Sequence, residues 1–116
     1  MPTSEPASLT AGTVVVVPFP YMDKLAEKRR PAVVVSNAGV SSQGFVWLVM
    51  VTSIGRGDPQ DVVALSDHAA VGLSHPSFIR PAKITCIEPS RIIRSIGTLP
   101  AADMAAVAAK LHSYIA

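Results

Sequence analysis

Three adjacent cations, Lys28, Arg29 and Arg30, stand directly before Pro31 and the apolar, β-branched run AVVV. Such a run predicts a buried strand. Because the residue before a proline favours extended backbone, Arg30 is expected at the start of this rigid element. A guanidinium held in this way suits planar anions with several oxygens, such as phosphate. Taken alone, the cations are more simply interpreted as a solvated charge run that ends a loop.

Cations and hydroxyls also occur at the ends of other predicted strands. They are Thr52, Ser53, Arg56, Arg80 and Lys83. In an antiparallel sheet, the start of one strand lies beside the end of its neighbour. Arg30 and Thr52 stand in that relation on the second and third predicted strands, so we expect them to reach a common anion.

The histidines and the cysteine do not form a metal-binding pattern. His68, His75 and His112 are scattered along the chain, and Cys86 is the single cysteine, whereas zinc sites use ligands at short, regular spacings. No glycine-rich loop precedes a helix and no carboxylate pair falls on a strand, so we expect neither a nucleotide cradle nor a glycosidase. We therefore expect no metal and no cofactor. Cys86 lies in a strand-like run and is expected to be a buried small hydrophobe in a reducing, cytoplasmic compartment.

Composition favours one globular domain. The 116 residues are 49% hydrophobic and only 16% charged, which excludes a largely disordered chain. Residues 1–11 are small and polar and are expected to be a disordered lead-in to a domain over 12–116. No apolar run approaches the ~20 residues of a membrane span. The net charge of +2 is compatible with a nucleic-acid partner without selecting one.

The pattern along the chain predicts a β-rich body. The prolines at 18 and 20 are expected to end the first strand, residues 21–30 to form a charged loop, and residues 55–59 to form a mobile loop. The third strand is almost continuously apolar and is expected to be central. Pro81 predicts a bend or an edge. The predicted strands are 13–17, 31–36, 45–51, 61–65, 77–80, 83–88 and 93–98.

The last segment changes to a helical period. Pro100 suits the first helical position, Asp103 favours the first turn, and Lys110 and His112 favour the last. One apolar stripe recurs at helical spacing and is expected to pack on the sheet. It consists of Met104, Val107, Ala108, Leu111 and Ile115. The predicted fold is mainly β with a C-terminal helix, a strongly curved antiparallel sheet close to a small barrel.

Five segments in order resemble the MazF/PemK-like family of toxins from bacterial toxin–antitoxin pairs. No single segment is specific, but the ordered set is, and it runs from Gly12 to the terminal helix. The segments are GTVVVVPFPYMD (12–23), KRRPAVVVSN (28–37), VTS (51–53), GLSHPSFIRPAK (72–83) and SRIIRSIGTL (90–99).

The resemblance implies a small SH3-like barrel of the MazF/PemK/CcdB type and a homodimer. It also implies metal-independent, sequence-specific cleavage of single-stranded RNA, which inhibits translation and growth. The implied partner is a cognate antitoxin with an acidic, disordered tail, and no membrane is involved. Arg30 matches the family's catalytic arginine before proline, Thr52 its catalytic hydroxyl, and Arg80 a basic residue that assists proton transfer or binds phosphate.

Further residues are candidates for RNA binding. For Phe19, packing at the barrel rim is an equally good interpretation, and His75 is either a loop residue or a proton acceptor. The candidates are Phe19, Lys28, Arg29, Ser53, Arg56, His75 and Lys83.

Two departures from the family pattern leave alternatives open. Thr13 stands where many members carry an acid, and Ala82 where some do, so no carboxylate base is evident. One alternative is a non-enzymatic poison that binds DNA gyrase, as CcdB-like proteins do, although Arg30 and Thr52 would then serve no purpose. The other is a catalytically weak nucleic-acid-binding member of the same fold.

Overall fold

The computed structural model describes residues 9–19, 28–52 and 61–116. Six strands form one antiparallel sheet in the order β4-β5-β3-β2-β1-β6. This half-barrel and its C-terminal helix confirm the predicted fold class. The elements are β1 (Thr13–Phe19), β2 (Lys28–Val34), α1 (Ala38–Ser41), β3 (Val46–Thr52), β4 (Val63–Ala64), β5 (Phe78–Ile87), β6 (Arg94–Thr98) and α2 (Ala101–Ser113), with single 3-10 turns at Ala69–Val71 and Pro89–Arg91. None of the helices in the described part of the chain is long and apolar enough to cross a membrane.

Alternation along the strands gives the sheet two apolar faces. One face, here called the helix face, carries Val14, Val33 and Val49, which pack together with Val107 of α2. The opposite face carries Val15, Ala32, Leu48 and other residues of a second buried cluster. Both clusters meet at the central strands, so the prediction that β3 is central is confirmed by its place between β2 and β5.

Pairing of β1 with β2 extends further than the prolines predict. Pro18 lies opposite Arg29, and Phe19 lies opposite Lys28. The expected end of the first strand and the assignment of residues 28–30 to a loop are therefore wrong. On its other side β1 pairs with β6 only as far as Val16, so Pro18 lies where β1 is an edge strand, a position that tolerates a missing N–H.

β5 is one strand with an irregular stretch at Pro81. Ile84 pairs with Val49 and Arg80 pairs with Met50, so residues 81–83 bulge out of the ladder. This bulge confirms the predicted bend. β4 pairs only with Phe78 and Ile79, so the rest of that edge has no partner strand among the described residues.

The expected burial of Cys86 is wrong, because its side chain is exposed. It lies opposite Trp47, which is itself 43% exposed. The pair lies on the part of the helix face that α2 leaves uncovered, next to the open edge of β5. A strand-like run reveals which residues alternate, but not how far the helix reaches along them.

α2 begins after Pro100, which is its N-cap rather than its first helical residue. The Asp103 carboxylate accepts hydrogen bonds from the backbone N–H and the hydroxyl of Ser66, at 3.1 and 3.0 Å, and ties the first turn to the chain after β4. Val107 is fully buried, as the apolar stripe predicts. Ile115 lies beyond the helix and is 71% exposed, so its expected packing on the sheet is wrong.

The chain from the 3-10 turn at 69–71 packs directly onto β6 at Gly97. A Cβ added to Gly97 would lie 2.8 Å from the Val71 carbonyl oxygen and 2.9 Å from two other backbone atoms of that residue. Val71 is itself fully buried. The absence of a side chain at Gly97 therefore sets how closely the segment that follows, residues 72–77, approaches the sheet.

Gly97→Ala is expected to lower the free energy of unfolding by about 1–3 kcal/mol, because backbone atoms cannot move aside for the new methyl group. Urea denaturation measures the change. The control is Ser95→Ala, at an exposed position on the same strand, which is expected to stay within about 0.5 kcal/mol of the unsubstituted protein. Equal effects of the two substitutions would contradict the close approach.

Candidate functional site

Arg30 is held inside a strand rather than on a loop. It is the third residue of β2, lies opposite Val17 of β1, and is half-buried. Val17 belongs to the buried cluster of the opposite face, so Arg30 lies on that face as well. The strand thus fixes the backbone from which the guanidinium extends.

Thr52 is the last residue of β3. The register of β2 against β3 runs through Ala32 opposite Met50, and two further residues along the same register bring Arg30 opposite Thr52. Opposed residues share a face, with Cβ atoms about 5 Å apart. Each of the two already takes part in an interaction within the molecule. The sheet therefore brings together the arginine and the hydroxyl that the sequence pattern singles out.

Arg80 joins them from the next strand. It lies opposite Met50 on β5, while Phe78 lies opposite Thr52. Since Met50 and Thr52 share a face, Arg80 is on it too, one diagonal step or about 7–8 Å from Thr52. Three neighbouring strands thus present Arg30, Thr52 and Arg80, here called the strand trio, on one face.

A pocket of about 400 Å³ opens on the helix face at the same end of β2 and β3. His75 lines it, and the structure thereby places this candidate next to Arg29 and Arg30. The loop around His75 is held by Ser74, whose hydroxyl is 3.0 Å from His75 Nδ1, and by Ser77, which donates to the His75 carbonyl at 2.8 Å. The lining of this His75 pocket is Arg29, Arg30, Pro31, Val51, Leu73, Ser74, His75 and Ser77.

A second pocket of about 320 Å³ adjoins the first and contains a residue that sequence reasoning missed. That residue is Arg94, at the start of β6. It shares the pocket with Arg29 and Arg30 because it lies opposite Val16, which in turn lies opposite Pro31. A cation opening an otherwise uncharged strand was the available signal, but the pairing of the last strand with the first cannot be read from local pattern. This second pocket is here called the Arg94 pocket.

The two pockets concentrate positive charge. Among the described residues that line them are three arginines and one histidine, and none is an aspartate or glutamate. Within the described residues, no group of three or more His, Cys, Asp and Glu side chains could hold a metal ion. Clustered guanidinium groups without opposing carboxylates attract anions and bind their oxygens in pairs.

The remaining candidate residues lie outside the two pockets or outside the described part of the structure. Lys83 is exposed in the irregular stretch of β5 and lines neither pocket. Phe19 and Lys28 lie in paired strands, but their side chains are outside the described part of the structure, and Ser53 and Arg56 are outside the described residues altogether.

The two positions that lack the family's acids are not equivalent in the structure. Thr13 lies four residues along β1 from Val17, the partner of Arg30, which is about 13 Å at the rise of a strand. Ala82 lies in the bulge two residues after Arg80. An acid at position 13 would therefore be remote from the strand trio, whereas one at position 82 would be near it.

Solved structures share this fold. MazF (Form-I) from Deinococcus radiodurans is 30% identical with a TM-score of 0.71, covering 90% of this chain and 93% of that chain. The MazE–MazF complex (Form-II) from the same organism is 29% identical with a TM-score of 0.72 and coverages of 90% and 92%. A mycobacterial endoribonuclease in complex with its cognate antitoxin shares 20% identity, a TM-score of 0.70, and 90% and 91% coverage. No curated protein sequence matches the chain.

The family comparison covers almost the whole sequence. Residues 10–115 match the profile of the PemK-like, MazF-like toxins of type II toxin–antitoxin systems. The matched range contains all six strands, α2, the strand trio and both pockets. The chain therefore belongs to the PemK-like, MazF-like toxin family.

Proposed function

We propose that this toxin is an endoribonuclease that cuts single-stranded RNA without a metal ion. The observation that carries the proposal is the strand trio, in which two guanidinium groups flank a hydroxyl on one face of three neighbouring strands. A protein-binding poison has no need for that arrangement. One relative of the same fold is described as an endoribonuclease.

The proposed reaction begins with attack of a ribose 2′-OH on the adjacent phosphorus. The 2′-OH proton is lost to solvent as the new bond forms, the bond to the 5′-oxygen breaks, and that oxygen takes up a proton from solvent. The products are a 2′,3′-cyclic phosphate and a 5′-OH end. Negative charge grows on the non-bridging oxygens in the transition state, and Arg30 and Arg80 stabilise it. Preorganised donors of this kind are among the largest contributions to catalysis. Dependence on the 2′-OH makes the enzyme selective for RNA over DNA.

Thr52 and His75 have different roles in this scheme. The Thr52 hydroxyl orients a phosphate oxygen between the two arginines. His75 lines a pocket with Val51 and Pro31, which alternate with Thr52 and Arg30 and so face the other side of the sheet. We therefore assign His75, together with Arg29, to binding of the RNA chain rather than to proton transfer.

Incubation of the purified protein with a long single-stranded RNA is expected to give defined cuts with 5′-OH and 2′,3′-cyclic phosphate ends. Because no described cluster of side chains can hold a metal ion, EDTA is expected to leave the rate unchanged. Gel analysis and mapping of the cut ends measure both outcomes. The same RNA with 2′-O-methyl riboses is the control and is expected to resist cleavage.

Two results would reject this proposal. Loss of cutting in EDTA would show that the reaction needs a metal ion. Intact RNA in both buffers, with inhibition of DNA gyrase in a supercoiling assay, would instead favour the non-enzymatic poison.

Arg30→Ala and Thr52→Val are each expected to lower kcat by at least ~100-fold, the scale of one lost transition-state donor. Arg30→Lys is expected to recover only part of the rate, because an ammonium lacks the two-pronged geometry. Thr52→Ser keeps the hydroxyl and is expected to retain most of the activity. Single-turnover cleavage of an oligonucleotide that contains a mapped site measures these rates.

Arg91→Ala is the matched control, since Arg91 is an exposed arginine that lines neither pocket. Melting curves of all variants check that the fold survives. Cleavage at the wild-type rate by a well-folded Arg30→Ala protein would refute the assigned roles.

We infer that the cellular partner is an antitoxin with an acidic segment. The arginines of the two pockets and of the strand trio form a basic surface. A partner must cover this surface while the toxin is inactive. An acidic, disordered tail that folds on binding suits such a surface. The MazE–MazF complex, at 29% identity, supports this kind of partner.

An apolar groove at the other end of the helix face supports a homodimer. The groove measures about 560 Å³ and leaves Trp47, Ile84 and Ile115 exposed by 43%, 48% and 71%. It adjoins the stretch of β5 that has no partner strand in the described structure. A two-fold axis would pair this edge with itself and bury both grooves. The lining is Val35, Trp47, Pro81, Ala82, Ile84, Met104, Ala108, Leu111, His112, Tyr114 and Ile115.

Ile84→Glu is expected to convert a dimer to a monomer, because two charged groups would meet across the axis without a partner. Ile93→Glu is the control, since Ile93 is 40% exposed and lies outside the groove. It is expected to remain dimeric. Light scattering after size-exclusion chromatography gives the masses, and a monomeric wild-type protein would contradict the dimer.

A further inference from the structure

Arg94 lies two strands away from the start of β2, on the same face as Arg29. Val16 separates Arg94 from Pro31 in the ladder, which sets Arg94 and Pro31 about 10 Å apart. Arg29 lies two residues before Pro31, on the same side of the strand. Both guanidinium-bearing residues are exposed, and both line the Arg94 pocket.

The rest of the Arg94 pocket combines apolar walls with an open backbone. Val16, Leu73 and Ile96 provide the walls. Gly72 has a φ of +85°, and a Cβ there would lie 2.8 Å from the Ile96 carbonyl oxygen. The glycine therefore lets the chain pass close to β6 while leaving its backbone at the pocket. Such a pocket suits a group with a charged part and a flat or apolar part, as a nucleotide has.

We propose that Arg94 and Arg29 form a subsite for a second phosphate of the RNA chain, beside the phosphate that is cut. This inference rests on the proposed function and deepens it. The Arg94 pocket and the His75 pocket share Arg29 and Arg30, and Arg30 belongs to the strand trio. The strand trio and the Arg94 pocket lie on opposite faces of the sheet, and Arg30 near the start of β2 is common to both. An RNA strand whose scissile phosphate lies at Arg30 therefore reaches Arg94 by passing from one face to the other at this end of the sheet.

An RNA phosphate fits the subsite better than a protein carboxylate. Two guanidinium groups can bind the several oxygens of one phosphate in pairs, and the apolar walls leave room for a ribose. Because the contact is to the backbone, it adds affinity and positions the chain without selecting a base.

The test uses the full chain and a single-stranded RNA of mixed sequence in which every ribose is 2′-O-methylated, so that binding is measured without cleavage. Arg94→Ala is expected to weaken binding roughly five- to tenfold at low salt. It is also expected to reduce the slope of log affinity against log salt by about 0.7, the share of one phosphate contact on a single strand. Arg94→Lys is expected to keep the slope but not the full affinity.

Arg91→Ala is the matched control, an exposed arginine three residues away that is expected to leave affinity and slope unchanged. With an oligonucleotide that the wild-type protein cuts, Arg94→Ala is expected to raise KM and leave kcat unchanged. Replacing each phosphate linkage in turn with a neutral methylphosphonate then locates the contact. One such replacement is expected to lower the RNA affinity of the wild-type protein but not that of Arg94→Ala.

The outcomes distinguish the subsite from the endoribonuclease activity. Wild-type protein that binds RNA without cutting it rejects the endoribonuclease, and the salt slope still decides the subsite. Equal affinities and slopes for Arg94→Ala and Arg91→Ala overturn the subsite whether or not RNA is cut. The subsite is also overturned if Arg94→Ala binds RNA normally but loses affinity for poly-L-glutamate, because the pocket then serves an acidic protein. A wild-type protein that does not bind RNA overturns both.

Discussion

The register between β2 and β3 is the constraint on which the site depends. Ala32, Val33 and Val34 are fully buried on alternating faces, and their pairing with Met50, Val49 and Leu48 leaves no freedom to slide. A slip by one residue would turn each buried side chain to the other face of the sheet. The burial of these aliphatic residues therefore also determines that Arg30 and Thr52, two residues further along each strand, lie opposite each other.

The sequence predicted the parts of this arrangement that follow from local pattern. β-branched runs identified the central strands, and helical spacing identified Val107 as a residue of the core. Antiparallel pairing of consecutive strands then predicted that Arg30 and Thr52 lie together, which requires only that β2 and β3 be neighbours. The turn between the strands did not need to be known, because the start of one antiparallel strand lies beside the end of the strand that follows it.

What the sequence did not predict depends on contacts between distant segments. Arg94 shares a pocket with Arg29 because the last strand pairs with the first, and Cys86 lies opposite the exposed Trp47 on the helix face. Pro18 remained in its strand because β6 is too short to pair with it. In each case a contact with a distant segment decided the outcome, and the local pattern does not reveal such contacts.

The helix face divides into two ends with different chemistry. Arg29 at one end of β2 lines the His75 pocket and the Arg94 pocket, and Val35, just beyond the other end, lines the apolar groove. The six residue steps from Arg29 to Val35 span about 20 Å at the rise of a strand, and α2 packs over the buried cluster in the middle. The His75 pocket and the Arg94 pocket are therefore separated from the apolar groove on this face. Because the separation comes from the length of the strand and the position of the helix, an acidic partner that covers the arginines of these two pockets need not displace a second copy of the chain.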